Sequence, residues 1–451
     1  MVDSPPSGTT PASLRITAGG RANAGPAARL ATLPWSVPLE QWPESVLAAL
    51  PRGISRHVVR FAHLGETVVA VKETTEQLAL HEYRLLRRLE HKDVPSVEPI
   101  AVVSGRVDAD GDPLPAVLVT RHLRFSLPYR AAFSRTLRHD TLVRLTDAMA
   151  LLLVQLHLEG FFWGDVSLSN VLFRRDAGAF AAHLVDAETG ELRPRLSDGQ
   201  REHDLELART NVGGELLDLT AGGMLDPDVD PADTADMLVE SYRSLWAELT
   251  ADTEFAPEEQ WRVEERIRRL NELGFDVEEY ALHPTDDGSR LVLRPKVVDP
   301  GHHQRRLMSL TGLDVQENQA RRLLQDIESN RQANNPHLSE GEAAHRWLVN
   351  VFEPVIASIP DELSLKLEPA EIMHQLLEHR WYLSEAQQRE VPFDDAVASY
   401  ISTVLAARRD EDAVALHPTT MMLRAVPAPS GPGADTADGS VGRAEQHEPG
   451  R

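Results

Sequence analysis

The amino-acid sequence predicts an α+β chain in which a strand-rich lobe, a helix-rich lobe and a mostly helical C-terminal domain follow one another. Over residues 45–123, apolar residues form short runs separated by turn residues, which is typical of strands. Helical spacing then takes over up to about residue 248. After a break at "TADTEFAPEEQ", residues 255–423 are again mostly helical, with one predicted hairpin, "YALHPTDDGSRLVLRPKVV".

Chain length and local composition set the predicted domain boundaries. At 451 residues the chain is longer than one hydrophobic core usually serves, so two domains with tails are expected. Both ends are rich in Pro, Gly, Ser, Thr and Ala, a composition typical of disorder. The predicted segments are a disordered tail at 1–30, the strand-rich lobe with its lead-in at 31–123, the helical lobe at 124–248, the C-terminal domain at 255–423 and a second disordered tail at 424–451.

The bulk composition argues against several classes of protein. A formal net charge of −24 disfavours both a general nucleic-acid binder and a protein that docks on anionic membranes. The absence of cysteine excludes disulfides, thiolate zinc sites and a cysteine nucleophile. No basic region followed by an apolar run marks a signal peptide, and no uncharged stretch reaches the roughly 20 residues of a membrane helix. We therefore expect a cytoplasmic protein without a transmembrane segment.

The predicted elements follow in order. "HVVRFAHL" and "TVVAVKE" are two strands joined at Gly65-Glu66, and residues 76–90 have helical spacing. "VEPIAVVSGRV" and "PAVLVTRHL" are two further strands separated by the turn-rich "DADGDP". "HDTLVRLTDAMALLLVQLHLEG" is a long amphipathic helix that ends at Gly160, and "AAHLVDAETGE" is a short strand that runs into a polar loop.

Lys72 and Glu82 are the first candidate site residues. The chain has only four lysines (Lys72, Lys92, Lys296 and Lys366) among its 46 basic residues, so each is notable. Lys72 is either a solvent-facing strand lysine or a compact positive charge for phosphate oxygens. Glu82 lies in the apolar stripe of the helix at 76–90, where a carboxylate is either at the rim or buried beside a partner. The adjacent strand offers Lys72 as that partner.

The second group comes from the stretch "FFWGDVSLSNVLF" and the strand that follows it. Asp165 and Asn170 form a polar insert between large apolar residues, and Asp186 comes sixteen residues after Asn170. Asp and Asn also satisfy the backbone of ordinary turns. Two carboxylates and an amide carbonyl, however, are the oxygen ligands that suit Mg²⁺ with phosphate.

The order "VAVK", helix glutamate, "GDxxxxN", apolar strand and aspartate resembles the protein-kinase-like fold. The likeness is nearest to its atypical branch, the RIO-type, aminoglycoside-phosphotransferase-like and lipopolysaccharide-core sugar kinases, and covers about residues 45–248. His157 and Gly160 match the lead into a kinase catalytic loop, and "QREHDLELARTNV" resembles a helix whose Asp204 braces that loop. The whole chain is similar to an uncharacterised bacterial family with a C-terminal domain of unknown function, through phrases such as "AEIMHQLLEHRWYLSE".

The resemblance implies a role for each residue. Lys72 would hold the α- and β-phosphates of ATP, with Glu82 steadying its ammonium group. Asp165 would accept or orient the proton of the attacking hydroxyl, and Asn170 and Asp186 would hold Mg²⁺.

The departures from the kinase pattern narrow the expected substrate. In place of a glycine-rich loop stands "PRGISRH", with Gly53 and Ser55 as the candidate phosphate-binding residues, between a predicted strand "VLAAL" and "HVVRF". Trp163-Gly164 replaces the His-Arg before the catalytic aspartate, Ser167 stands where protein kinases have lysine, and only Asp186 of the Asp-Phe-Gly motif is kept. These losses favour a small-molecule, sugar or lipid-linked hydroxyl acceptor over a protein. The alternative hypothesis is a nucleotide-binding pseudokinase that serves as an interaction scaffold.

The C-terminal domain carries weaker signals. His374 and Glu378 lie one helical turn apart, but the pattern is not that of a zinc protease helix, so ordinary helix residues are the favoured interpretation. The arginine pairs in "HHQRRLM" and "QARRLLQ" are most simply solvated. Trp261, Trp347 and Trp381 are predicted to anchor a core. We expect any protein partner to bind through this domain.

Overall fold

A computed structural model describes residues 13–19, 28–50, 57–133, 139–251, 253–255, 259, 261–272, 274–277, 280–284, 291–295, 298–408 and 411. The predicted phosphate loop with Gly53 and Ser55 lies outside these residues, and so does the predicted tail at 424–451.

The first lobe is a five-stranded antiparallel sheet with strand order β1-β4-β5-β3-β2. Its strands are β1 (Arg15–Thr17), β2 (Val59–Leu64), β3 (Thr67–Thr74), β4 (Pro99–Ser104) and β5 (Ala116–Arg121). β1 corrects the prediction of disorder over all of residues 1–30, because Ile16 pairs with Val103 and protects the edge of β4. "VLAAL" is not a strand: only Leu47 forms an isolated bridge, to Ala62.

Side chains alternate along each strand, so the two faces of this sheet contact different parts of the lobe. Val69 and Val71 of β3 are fully buried against Trp35 and Trp42 of the lead-in segment. Lys72 points to the opposite face, towards helix α1 (Glu76–Glu90). The predicted bounds of this helix are confirmed, and its first turn is capped by Thr75, whose hydroxyl accepts from Leu78 N at 3.3 Å.

The second lobe is mainly helical. Its elements are β6 (Ser126–Pro128), α2 (Tyr129–Ala132), α3 (His139–Leu158), β7 (Phe161–Phe162), β8 (Val171–Asp176), β9 (Ala179–Leu184), β10 (Glu191–Leu192), α4 (Asp198–Ala221) and α5 (Pro231–Thr250). Helix α3 is the one described helix long and apolar enough to cross a membrane by length and composition alone. It packs against α5 and β9, and most of its apolar window is buried, as in a core helix.

The hairpin β8–β9 is the element that carries candidate residues at its open end. Sequence patterning predicted β9 but missed β8, whose second half, "RRD", is polar. Val171 pairs with Leu184, so Asn170 and Val185 form the next position, where Val185 N donates to Asn170 O at 3.0 Å. Asn170 and Asp186 therefore both lie at the open end of the hairpin.

The C-terminal region begins with short strands and continues as helices. Its elements are β11 (Thr253–Phe255), α6 (Trp261–Glu272), β12 (Phe275–Val277), β13 (Tyr280–Pro284), β14 (Leu291–Pro295), β15 (Val298–Pro300), α7 (His302–Thr311), α8 (Glu317–Asn334), α9 (Glu340–Trp347), α10 (Glu353–Ala357), α11 (Pro369–Gln387) and α12 (Phe393–Tyr400), with π-helical turns at Leu348–Phe352 and Ile401–Leu405. β13 and β14 pair as the predicted hairpin.

The tryptophan prediction is correct for one residue of three. Trp347 is buried, and its indole nitrogen donates to Asp326 at 2.7 Å. Trp261 and Trp381 are 59% and 56% exposed, which corrects their assignment to a core. Both residues lie on helix faces that are turned away from the core. The orientation of a helix decides which of its residues are buried, and residue type alone does not reveal that orientation.

The turn of the β8–β9 hairpin contacts the C-terminal helices, and its Asp176 is buried. Asp176 accepts from Gln319 N at 2.7 Å and from Asn318 Nδ2 at 2.9 Å. Gln319 in turn donates to Arg175 O at 3.0 Å, while Ala177 N donates to Glu371 at 3.1 Å. The C-terminal helices α8 and α11 thus hold the closed end of the hairpin whose open end carries Asn170 and Asp186.

The buried carboxyl of Asp176 predicts a pH-dependent stability. Burial raises the pKa of Asp176 to about 6, with the hydrogen bonds from Gln319 and Asn318 opposing the rise and the charge of Glu371 adding to it. The folded protein then holds this proton at pH values where the unfolded chain has lost it, so the contribution of Asp176 to stability falls as pH rises from about 4 to 6. Asp176→Asn removes this dependence. As pH rises from 4.5 to 7, wild type should lose about 2 kcal/mol of free energy of unfolding that Asp176→Asn does not lose.

Urea denaturation at both pH values measures this difference. Asp110→Asn, at an exposed loop position, is the matched control and should show no relative change. A difference between Asp176→Asn and wild type that stays constant with pH would contradict the assignment.

Candidate functional site

The site is built around Lys72. Its Nζ lies 3.0 Å from Glu82 Oε2 and 2.9 Å from Asp186 Oδ2, so β3, α1 and the end of β9 meet at one ammonium group. Glu82 is fully buried, as its position in the apolar stripe of α1 requires, and its second oxygen accepts from Ala187 N at 3.3 Å. The predicted pairing of Lys72 with Glu82 is confirmed.

The electrostatics of the Lys72–Glu82 pair reflect burial and mutual attraction. Burial favours the neutral form of Lys72, but the charges of Glu82 and Asp186 outweigh it and raise the pKa of the ammonium group. Burial raises the pKa of Glu82 to about 7, with Asp186 adding to the rise and Lys72 opposing it. Lys72 therefore remains charged at neutral pH.

Glu188 is a site residue that the sequence interpretation missed. Its Oε2 lies 3.0 Å from Lys72 Nζ and 2.9 Å from His57 Nε2. Its backbone N–H donates to Asp186 Oδ1 at 3.0 Å. The available signal was a carboxylate two residues after Asp186, at a position where the kinase motif has glycine and therefore assigns no side-chain role.

Asp165 and Asn170 are brought together at the start of β8. Asn170 Nδ2 donates to Asp165 O at 3.1 Å and to Asp165 Oδ2 at 3.3 Å, which directs the amide oxygen away from that carboxylate. Glu215 of α4 accepts from Leu168 N at 2.6 Å and Ser169 N at 2.9 Å. The Glu215 carboxylate thus holds the backbone of the loop between Asp165 and Asn170.

Asp204 braces the other side of the same loop, as predicted. Its carboxylate accepts from Trp163 N and Gly164 N, both at 2.8 Å, and from His157 Nε2 at 3.0 Å. Burial lowers the pKa of His157, so the imidazole is neutral, with its proton on Nε2. His157 Nδ1 accepts from the Tyr242 hydroxyl at 2.7 Å.

Replacing Asp204 by alanine should strongly destabilise the protein. The change leaves three buried donors on Trp163, Gly164 and His157 without their acceptor, which costs about 3 kcal/mol or more. Urea denaturation measures the loss. Glu202 lies on the same helix as Asp204 and forms an exposed ion pair with Arg243 of α5. The free energy of unfolding of Glu202→Ala should stay within about 1 kcal/mol of wild type. Equal stabilities for the two variants would show that Asp204 does not brace the loop.

The donor set fits a divalent cation. Within the described part of the chain, the one group of three acidic or histidine side chains close enough to share an ion is Glu82, Asp186 and Glu188. Lys72 Nζ lies within 3.0 Å of all three carboxylates, so the ammonium group is their common partner, and of the three only Asp186 is a candidate metal ligand. Asp186 offers a carboxylate, and Asn170, whose backbone carbonyl accepts from Val185 N at the same end of the hairpin, offers an amide oxygen. Carboxylate and amide oxygens are the ligands that Mg²⁺ prefers.

Two segments of the chain match known family models. Residues 60–238 match the model of the lipopolysaccharide kinase (Kdo/WaaP) family, and residues 244–405 match a domain of unknown function, DUF4032. The first of these segments is thus similar to lipopolysaccharide kinases, and the second is similar to DUF4032 domains. The predicted resemblance and fold class, a kinase-like α+β domain with a mostly helical domain after it, are therefore confirmed.

Other comparisons add less. A solved structure titled "WaaP in complex with acyl carrier protein" is 15% identical, covers 51% of this chain and 90% of that chain, and has a TM-score of 0.33. A search of the curated proteins found no match. The two family matches end and begin within α5, and the domain boundaries given above remain predictions.

The structure thus assembles Lys72, Glu82 and Asp186 in one cluster and Asp165 with Asn170 in a neighbouring one. Gly53 and Ser55 lie outside the described residues. His374 and Glu378 approach to 3.5 Å on α11, but no further acidic or histidine side chain of the described chain completes a metal group there.

Proposed function

We propose that the kinase-like domain is an ATP- and Mg²⁺-dependent phosphotransferase that acts on a small-molecule, sugar or lipid-linked hydroxyl group. The observation that carries the proposal is the position of Lys72 Nζ, 3.0 Å from Glu82 and 2.9 Å from Asp186, inside a segment that matches a lipopolysaccharide kinase family. That contact joins a phosphate-binding cation to a metal-binding carboxylate.

In this proposal each residue acts on a defined group. Lys72 Nζ donates to the α- and β-phosphate oxygens of ATP, and Glu82 holds the ammonium in place. Asp165 Oδ accepts the proton of the acceptor hydroxyl as its oxygen forms a bond to the γ-phosphorus. The bond from that phosphorus to the bridging oxygen of ADP breaks, and ADP leaves with the electron pair. The loop braces at Asp204 and Glu215 keep Asp165 in position.

Asn170 and Asp186 would hold Mg²⁺ through one amide and one carboxylate oxygen. When bound, the ion neutralises negative charge on the phosphate oxygens. The hydrogen bond from Asn170 Nδ2 to Asp165 supports this role because it leaves Oδ1 for a ligand. Asp186 is held by the N–H of Glu188 at its other oxygen.

The proposed acceptor class and location follow from the family match and the missing peptide-binding features. The matched family is named for kinases of lipopolysaccharide, whose acceptors are sugar hydroxyl groups. Ser167 stands where a protein kinase places lysine next to its peptide substrate. The net charge of −24 further disfavours a nucleic-acid substrate. We place the protein in the cytoplasm, where ATP is available.

Release of ADP in the presence of candidate acceptors tests the proposal. A panel of sugars, phosphorylated sugars and lipid-linked oligosaccharides is added to ATP with and without Mg²⁺, and the product is identified by mass spectrometry. We expect Mg²⁺-dependent ADP release with at least one hydroxyl acceptor, and its absence with Asp165→Asn. ADP release that Asp165→Asn retains would contradict the assigned base.

One observation favours a second candidate function, a nucleotide-binding scaffold without turnover. A third carboxylate, Glu188, lies at ion-pair distance from Lys72 where kinases have glycine. In this alternative, the DUF4032 domain binds a protein partner, and ATP binds without ADP release under any acceptor condition. ATP binding combined with the absence of turnover would favour the scaffold.

A further inference from the structure

Glu188 stands in the site without a role in the proposed reaction. Its carboxylate is mostly buried, with 14% of the side chain exposed, and its Oε2 lies 3.0 Å from Lys72 Nζ. Lys72 is the residue assigned to the nucleotide phosphates, so Glu188 occupies a contact that a phosphate oxygen would use.

The hydrogen-bonding capacity of Lys72 makes this contact consequential. An ammonium group has three donors, and Lys72 faces three carboxylates, on Glu82, Asp186 and Glu188, at 2.9–3.0 Å. Glu82 and Asp186 accept hydrogen bonds from two of these donors, and the Glu188 carboxylate stands at ion-pair distance beside the third. A phosphate oxygen can bind Lys72 only if one carboxylate gives way.

The three carboxylates are not held equally. Glu82 is fully buried and anchored by Ala187 N. Asp186 accepts aligned hydrogen bonds from both Lys72 and Glu188 N. The approach of Glu188 to Lys72 is at ion-pair distance but lacks hydrogen-bond alignment.

Glu188 also lies beside a second polar side chain, that of His57. Its Oε2 lies 2.9 Å from His57 Nε2, immediately before β2. Moving away from Lys72 therefore does not leave the carboxylate without a nearby partner. Of the three carboxylates, Glu188 is the one that can release Lys72 at the lowest cost.

We propose that Glu188 competes with nucleotide phosphate for Lys72 and so sets the affinity of the site for ATP. This inference rests on the proposed function. Removing the charge of Glu188 frees one donor of Lys72 and lowers the net negative charge that meets the triphosphate. If Lys72 is free of Glu188 in only a tenth of the molecules, the apparent Kd for ATP is about tenfold weaker than it would otherwise be.

Isothermal titration calorimetry of the full chain at saturating Mg²⁺ tests the inference. Wild type, Glu188→Gln and Glu191→Gln are each titrated with ATP and with adenosine, which has no phosphates. Glu191 is the matched control, because it lies three residues after Glu188, at the start of β10, and pairs with Arg193 at the surface. We expect about tenfold tighter ATP binding by Glu188→Gln, unchanged adenosine binding, and wild-type behaviour for Glu191→Gln.

Three outcomes would overturn the inference. Unchanged or weaker ATP binding by Glu188→Gln, with ATP still bound by wild type, removes the competition and leaves the proposed function standing. If Glu188→Gln binds adenosine and ATP more tightly by the same factor, the change in affinity does not come from the phosphates. No ATP binding by wild type or by Glu188→Gln contradicts the inference and the proposed function together. Glu188→Gly, with the glycine of the kinase motif, repeats the test if the glutamine variant does not fold.

Discussion

Asp165→Asn is expected to lower the turnover number for phosphoryl transfer by about 10³-fold while leaving ATP affinity within about twofold of wild type. The asparagine has nearly the same shape and can still accept from Asn170 Nδ2, so the loop should keep its conformation. It cannot take the proton of the attacking hydroxyl. ADP release under single-turnover conditions measures the first effect, and calorimetry with ATP measures the second.

The exposed Asp110 provides a control for this experiment. Asp110→Asn makes the same chemical change at the surface of the first lobe, and its turnover should equal that of wild type. Turnover retained by Asp165→Asn would remove Asp165 from the catalytic role. Equal losses of turnover and ATP affinity would show that Asp165 supports the loop instead of the chemical step.

Lys72→Met is expected to lower the free energy of unfolding by about 3 kcal/mol at pH 7.5. The change leaves Glu82, buried under the first-lobe sheet, beside Asp186 without its compensating ammonium. The folded state then keeps Glu82 protonated to higher pH than the unfolded chain does. The loss should therefore be larger at pH 8 than at pH 5.5. Urea denaturation at both pH values measures it.

The double variant Lys72→Met/Glu82→Gln separates the ion pair from packing. Glutamine has no charge to bury and keeps an oxygen for Ala187 N, so we expect at least half of the lost stability to return and the added pH dependence to disappear. A double variant no more stable than Lys72→Met, with the same pH dependence, would show that the loss comes from packing of the Lys72 chain and not from the unpaired Glu82.

The parts of the fold that depend on local periodicity could be predicted from the sequence. The helix at 76–90 and the hairpin at Gly65-Glu66 each carry a period or turn signal within a few residues. The pairing of Lys72 with Glu82 was predictable for a similar reason, because a carboxylate in an apolar stripe requires a nearby cation.

The features that were missed depend on distant parts of the chain. β8 contains "RRD", and these polar residues are satisfied by partners in the C-terminal domain: Arg174 pairs with Glu368 and Arg175 with Glu411. β1 has only three residues and gains its order by pairing with β4. Glu188 could not be placed from the sequence, since its position depends on how the loop after β9 folds back onto Lys72.

The most direct test of the nucleotide site is a thermal-shift titration with ATP, with and without Mg²⁺, on wild type and Asp186→Asn. A ligand at 100 times its Kd stabilises the folded state by about 2.7 kcal/mol, which a melting curve detects. We predict a rise in Tm for wild type that requires both ATP and Mg²⁺ and is lost in Asp186→Asn. No shift in wild type, or the same Mg²⁺-dependent shift in Asp186→Asn, would contradict a metal–nucleotide site at Lys72 and Asp186.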